Sequence, residues 1–144
     1  MNGGCLEKLR CLGVKIAWGC YGVFYRWGGN NPLIGVDCSG FIVWIMRQLG
    51  LFRSDEDYTA SGLWQLYRSR RVKRPRKGTL VFYGKTKVTH VAICIDEGWC
   101  LSASGGNRNI KTLEQAQRAK AFVQLKKIRY RQDIWGYVDP FMEI

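Results

Sequence analysis

A chain of 144 residues suffices for one compact domain and is too short for two. Its 47% apolar share, with Trp 6, Tyr 7 and Phe 6, excludes a disordered chain, and no apolar run approaches the roughly 20 residues of a membrane helix. Lys and Arg number 23 against 11 Asp and Glu, and the resulting net charge of +12 favours polyanionic partners without choosing among nucleic acid, anionic lipid and wall polymer.

Cys5, Leu9, Leu12 and Ile16 recur at helical spacing, so residues 5–18 are expected to form an amphipathic helix on that face. Glu7 and basic residues interrupt the apolar ones there. No compact apolar stretch with a small-residue cleavage site follows, so no secretory signal is expected and synthesis is cytoplasmic. Residues 27–35, with Gly28, Gly29, Asn30, Asn31 and Pro32, form a turn-rich loop. A dense apolar run follows, capped by Asp37 or Ser39 and stopped by Gly50, with Cys38, Phe41, Ile42, Ile45 and Leu49 on one helical face. Residues 55–57 are an acidic turn, and residues 59–67 a short helix with Leu63, Leu66 and Tyr67 inward.

Seven of the ten residues 68–77 are basic: Arg68, Arg70, Arg71, Lys73, Arg74, Arg76 and Lys77. A second basic cluster comprises Lys120, Lys126, Lys127, Arg129 and Arg131. Both have two readings, a solvated surface or a face turned to a polyanion. Strands are expected at 79–83, 89–95 and 99–104, with a hairpin turn at 96–98. A helix at 112–119 and a strand at 121–131 complete the chain as read. Helices first and hairpin-linked strands later define an α+β fold with an antiparallel sheet.

The cysteines Cys5, Cys11, Cys20, Cys38, Cys94 and Cys100 form no CxxC pair, and one histidine cannot complete a Cys/His zinc set, so no metal is expected. Five of them read as small buried hydrophobes, and Trp18, Trp44 and Trp135 as core. Cys38 differs, because it opens a predicted helix. Oriented N–H groups at a helix start favour a thiolate and lower a cysteine pKa from about 8.5 into a range of roughly 3.5–7.5. The single histidine, His90, lies near the start of a strand, and an imidazole there can take the thiol proton and return one to a leaving amine. The turn at 96–98 sets Cys94 opposite Cys100 and His90 opposite Ser104. His90, Cys94, Cys100, Ser102 and Ser104 then share one side of the sheet, with Ser102 or Ser104 beside the imidazole. Spacing alone leaves two readings open: a thiol–imidazole catalytic pair, or two packing residues.

Further motifs bear on that choice. Tyr25-Arg26-Trp27-Gly28-Gly29-Asn30-Asn31-Pro32 and Gly35-Val36-Asp37-Cys38-Ser39-Gly40-Phe41 resemble the signature of NlpC-type cell-wall peptidases. Gly78-Thr79-Leu80-Val81-Phe82-Tyr83 resembles that family's "GDLVFY" strand, and Thr89-His90-Val91-Ala92-Ile93 its histidine strand. The resemblance runs in order from Tyr25 to Asn107. It implies a papain-like α+β fold over residues 1–144, N-terminal helices with the cysteine at a helix start packed on the sheet that carries the histidine. It implies a cysteine endopeptidase that cuts amide bonds in peptidoglycan stem peptides, beside γ-D-glutamate, through a thioester.

By position, the resemblance makes Cys38 the nucleophile and His90 the base, with Tyr25, Asp37 and Ser39 facing substrate. The family's third position, usually His, Asn or Gln, is Ser102 here, a weaker orienting group; the "GDLVFY" aspartate is Thr79, a departure expected to be structural. No cofactor is implied, and action is expected at the bacterial cell wall. A compact domain without an appended wall-binding module resembles phage-encoded members, and secretion-system effectors are the other comparable form. The basic run from Arg68 to Lys77 would then hold anionic wall polymers, with no specific nucleic acid and no membrane span. The alternatives are a papain-like amidase or acyl or amide transferase, or a weakly active or inactive polyanion-binding relative.

Overall fold

The structure, a computed structural model, describes residues 3–143. Helix α1 (Gly3–Gly19) leads into the glycine-rich loop, within which β1 (Asn30–Asn31) and β2 (Gly35–Val36) make a two-residue hairpin. Helices α2 (Cys38–Gln48) and α3 (Ala60–Tyr67) follow. A 3-10 turn (Arg68–Arg70), β3 (Arg71–Val72), β4 (Leu80–Tyr83), β5 (His90–Cys94) and β6 (Trp99–Ser104) come next. The chain closes with α4 (Leu113–Ala119), β7 (Phe122–Lys127), a 3-10 turn (Ile128–Tyr130) and β8 (Ile134–Val138). The six-stranded sheet runs β3-β8-β4-β5-β6-β7, antiparallel throughout. This is the α+β arrangement expected, with α2 packed on the strand that carries His90.

Helices α2, α3 and α4 start where a side chain can satisfy an orphan amide. The Asp37 carboxylate accepts from the Gly40 N–H, the Thr59 hydroxyl from the Gly62 N–H, and Thr112 forms a reciprocal capping box with Gln115. Gly50 (φ +75°) takes the left-handed conformation just beyond α2.

Trp18, expected in the core, is instead 42% exposed beside Tyr21, and three further expectations fail for packing reasons. Helix α1 buries Arg10, Gly13, Val14 and Ala17, while Cys5 is exposed and Leu12 is 47% exposed. Gly13 lets the helix press against Leu49, Ile45 and Phe141, and Arg10 follows it inward to meet Asp139 in a bidentate pair at 3.0 and 2.8 Å. On α3, Trp64 takes the inner place expected of Leu66, with its ring edge-on to Phe82. The last predicted strand stops at Lys127. Ile128 is buried and its carbonyl accepts from the Tyr83 hydroxyl (2.8 Å), which turns the chain back as a 3-10 turn. Strands β3 and β8 were not expected; Gly136 in β8 makes room for the Trp64 ring.

The sheet has two unequal faces. Leu80, Phe82, Val91, Ile93, Leu101, Ala103 and Val123 join the main core under the helices. Val81, Tyr83, Ala92, Cys94, Cys100 and Ile128 form a smaller core on the other face. Ile93 pairs with Leu101 and Cys94 with Cys100, the register read from the hairpin turn.

Candidate active site

The start of α2 is locked to the Trp-Gly-Gly loop. Asp37 Oδ1 accepts from the Gly40 N–H (2.7 Å) and the Ser39 hydroxyl (3.3 Å), and Oδ2 from the Gly28 N–H (2.9 Å). The Asp37 N–H in turn donates to the Gly29 carbonyl (3.0 Å). A Cβ on Gly40 would overlap that same carbonyl oxygen, and one on Gly29 would overlap the carbonyl of Gly35. The Trp-Gly-Gly loop and the start of α2 are the two halves of one contact.

Cys38 is therefore the first residue of α2, partly buried, with its thiol at the helix start. The backbone N–H groups of Val91, Ser39 and Cys38 itself favour the thiolate. Burial outweighs them, and the Asp37 carboxylate adds to it, so the thiol is pushed up to about 12. The lowered pKa expected from the helix start alone is thus corrected: desolvation wins. Burial also raises the Asp37 carboxyl, against the pull of the Gly40, Gly28 and Ser39 donors.

His90 opens β5 opposite Tyr83 and is 9% exposed. Burial, with the Arg131 guanidinium nearby, lowers its imidazole to about 4, Asp133 opposing. At neutral pH both Cys38 and His90 are uncharged. Their side chains come from different sides of the sheet. His90 shares the face of Tyr83, with ring centroids 5.6 Å apart, whereas α2 packs on the other face. Both face the region at the start of β5, where the Val91 backbone favours the Cys38 thiolate.

Both line one cleft of about 1000 Å³, together with Tyr25, Asp37, Ser39 and Ser104. Tyr25 is buried, its hydroxyl raised by burial and by the adjacent Cys38 and Asp37, and its ring lies where a Cβ on Gly106 would be. Trp27, 52% exposed, sits on the rim, and Arg108, Lys126 and Arg131 bring positive charge to it. Ser102 is fully buried behind the cleft, its hydroxyl against that of Ser104. The group bonded to His90 Nε2 is instead the Tyr130 hydroxyl, at 3.1 Å. Tyr130 was not singled out from sequence; forty residues from His90, inside a predicted strand, it carried no local signal. Among the described residues no group of three or more His, Cys, Asp or Glu side chains could hold a metal ion. No helix among them is long and apolar enough to cross a membrane.

A thiol at a helix start, set against an antiparallel sheet whose strand presents a histidine, defines a papain-like arrangement. Residues 22–127 match the NlpC/P60 family, and the chain belongs to that family. It is 26% identical to the murein DD-endopeptidase MepH of Escherichia coli (strain K12) over 111 residues, covering 72% of this chain and 40% of MepH. It is 33% identical to the bifunctional muramidase/DL-endopeptidase CwlT of Bacillus subtilis (strain 168) over 78 residues, 51% of this chain and 23% of CwlT. The chain thus spans well under half the length of these curated relatives. In fold it is similar to the peptidoglycan hydrolase RipB of Mycobacterium tuberculosis (TM-score 0.73, 20% identity, 100% of this chain and 70% of that one). It is equally similar to the P60 domain of an antigen of M. avium subspecies paratuberculosis (TM-score 0.72, 20% identity, 96% and 98%).

Proposed function

We propose that this chain is a single cysteine endopeptidase domain that hydrolyses amide bonds in peptidoglycan stem peptides beside γ-D-glutamate. One observation carries the reading: Cys38, the first residue of α2, and His90, the first residue of β5, line one cleft. Substrate chemistry fits the cleft. A γ-linked glutamate leaves its α-carboxylate free, and Arg108, Lys126 and Arg131 supply the opposite charge.

Both reactive groups start neutral, so proton transfer accompanies attack. His90 takes the Cys38 proton as sulfur bonds to the carbonyl carbon, and the backbone N–H of Cys38 at the helix start steadies the oxyanion. The C–N bond breaks, and His90 returns the proton to the leaving amine. Water, deprotonated by His90, then attacks the thioester; the S–C bond breaks and the sulfur regains the proton. Tyr25, Asp37 and Ser39 face the acyl side, Asp37 chiefly by fixing the loop and helix start that frame the cleft. The domain works at the cell wall, and the exposed part of the basic run holds it on anionic polymers there.

The test is release of soluble fragments from purified sacculi, with and without chelator, and after iodoacetamide. Release that survives chelation and disappears on alkylation is expected. Loss on chelation that zinc restores would contradict a cysteine mechanism.

A further inference from the structure

A general base must hold its own proton on the correct nitrogen. His90 serves Cys38 only if Nε2 keeps the hydrogen and Nδ1 is bare, which requires an acceptor at Nε2. Ser102 stands at the sequence position where the resemblance puts an orienting group, yet it lies behind the cleft and faces Ser104. The Tyr130 hydroxyl occupies the place at Nε2.

We propose that Tyr130 is the positioning residue for His90, with Ser102 and Ser104 as the anchors of its hydroxyl. Donor and acceptor counting supports it. The Tyr130 hydroxyl faces His90 Nε2, with Arg131 and the Ser104 hydroxyl beside it and the Ser102 hydroxyl against that of Ser104. Arg131 can only donate, so it takes one lone pair of the phenolic oxygen. The Ser104 hydroxyl donates to the Ser102 carbonyl, which leaves its oxygen an acceptor for the phenolic proton. The second phenolic lone pair then remains for Nε2–H, and the tautomer with a bare Nδ1 follows.

The ring is held as firmly as its hydroxyl. It packs edge-on against Tyr83 (centroids 5.7 Å, 71°) with the Lys126 ammonium 5.5 Å above it. Tyr83 in turn pins the 3-10 turn that carries Tyr130. A rigid phenol reaching in from the end of β7 thus does what a polar side chain on β6 would do.

The kinetic part rests on the proposed peptidase reading, but the tautomer does not, so imidazole 15N spectra of the resting protein are recorded alongside turnover of a stem peptide. Wild type should show a single tautomer protonated at Nε2. Tyr130→Phe should give a tautomer mixture and lower kcat about tenfold or more with KM unchanged, part of the roughly 10²–10⁴-fold supplied by a positioned general base. Tyr130→Phe combined with Ser102→Asn should recover the Nε2–H tautomer. If Tyr130→Phe does not fold, the Ser102→Ala, Ser104→Ala double variant, which frees the phenol, should move the spectra the same way. An unchanged Nε2–H tautomer in Tyr130→Phe, or in the serine double variant where Tyr130→Phe does not fold, overturns the proposal. If wild type cleaves no stem peptide, the peptidase reading fails while the spectra still decide the role of Tyr130.

Discussion

Gly40 and Gly29 approach so closely that no side chain fits between them: the Gly29 carbonyl lies where a Gly40 Cβ would be, and the same carbonyl accepts the Asp37 N–H. The opposing partner is backbone, which cannot swing aside. Gly40→Ala should therefore displace the start of α2, at a cost of about 1–3 kcal/mol in denaturant unfolding, and leave the protein without activity. A Gly40→Ala protein with wild-type stability and turnover would show that the contact is looser than described.

Asp37 has two opposed effects on Cys38. It caps the helix that carries the thiol, and its charge pushes that thiol up. Below the thiol pKa the thiolate fraction grows tenfold for each unit by which the pKa falls. Asp37→Asn removes the charge and keeps one acceptor oxygen. Alkylation of Cys38 at pH 8 should become several-fold faster while turnover falls, and Asp37→Ala should also lose about 1 kcal/mol of stability. Slower alkylation in Asp37→Asn would contradict the assigned sign.

His90 makes a pH prediction in which the direction is fixed. Its imidazole lies at about 4 in the folded protein against 6.5 for an ordinary histidine. Between those values the unfolded chain binds a proton that the folded chain does not. Stability from this group is complete above pH 6.5 and is lost as pH falls through 4, roughly 3 kcal/mol in all. Unfolding midpoints of wild type should drop between pH 6.5 and 4 more than those of His90→Gln. The acid limb of kcat/KM should fall near pH 4, not near 6.5, and an inflection near 6.5 would show that His90 is solvated.

Much of the site can be read in the chain because its parts are local. The cap at Asp37, the helix from Cys38, the stop at Gly50 and the hairpin register that aligns Cys94 with Cys100 all depend on neighbours within a few residues. The missed features depend on distant partners. Arg10 reads as a solvent-facing residue until Asp139, 129 residues away, is known to meet it. Tyr130 reads as part of a strand until Tyr83 is seen to hold the Ile128 carbonyl. A helix start is visible in sequence and burial is not, so the helix start alone implies a lowered thiol pKa where the structure raises it.

The Arg10–Asp139 pair is the clearest stability element away from the cleft. Arg10 also bonds the Lys77 carbonyl (2.9 Å) and Glu7 (3.0 Å), tying α1 to the C-terminal segment and to the end of the basic run. Removing one partner strands a buried charge. Asp139→Ala should cost about 3–5 kcal/mol with KM unchanged in the protein that remains folded. A loss below 1 kcal/mol would mean that water reaches the pair.

The basic run divides into two parts. Arg70 donates to the Met142 carbonyl (2.7 Å), Arg71 lies over the Trp64 ring, and Arg76 pairs with Glu7. Arg68, Lys73 and Arg74 are exposed. Replacing those three with alanine should abolish salt-sensitive sedimentation with cell walls and leave folding intact. Unchanged sedimentation would remove wall anchoring from the role of this run.

The proposed function makes Cys38 the residue that cleaves within stem peptides. The measurement is mass spectrometry of soluble fragments after parallel incubation of wild type and Cys38→Ala with peptidoglycan of several wall chemotypes. Fragments with a new amino terminus inside the stem, from wild type alone, are the predicted result. Release of whole stems would make the protein an amidase. Identical fragments from Cys38→Ala, or none from any wall by a folded wild type, would contradict the account.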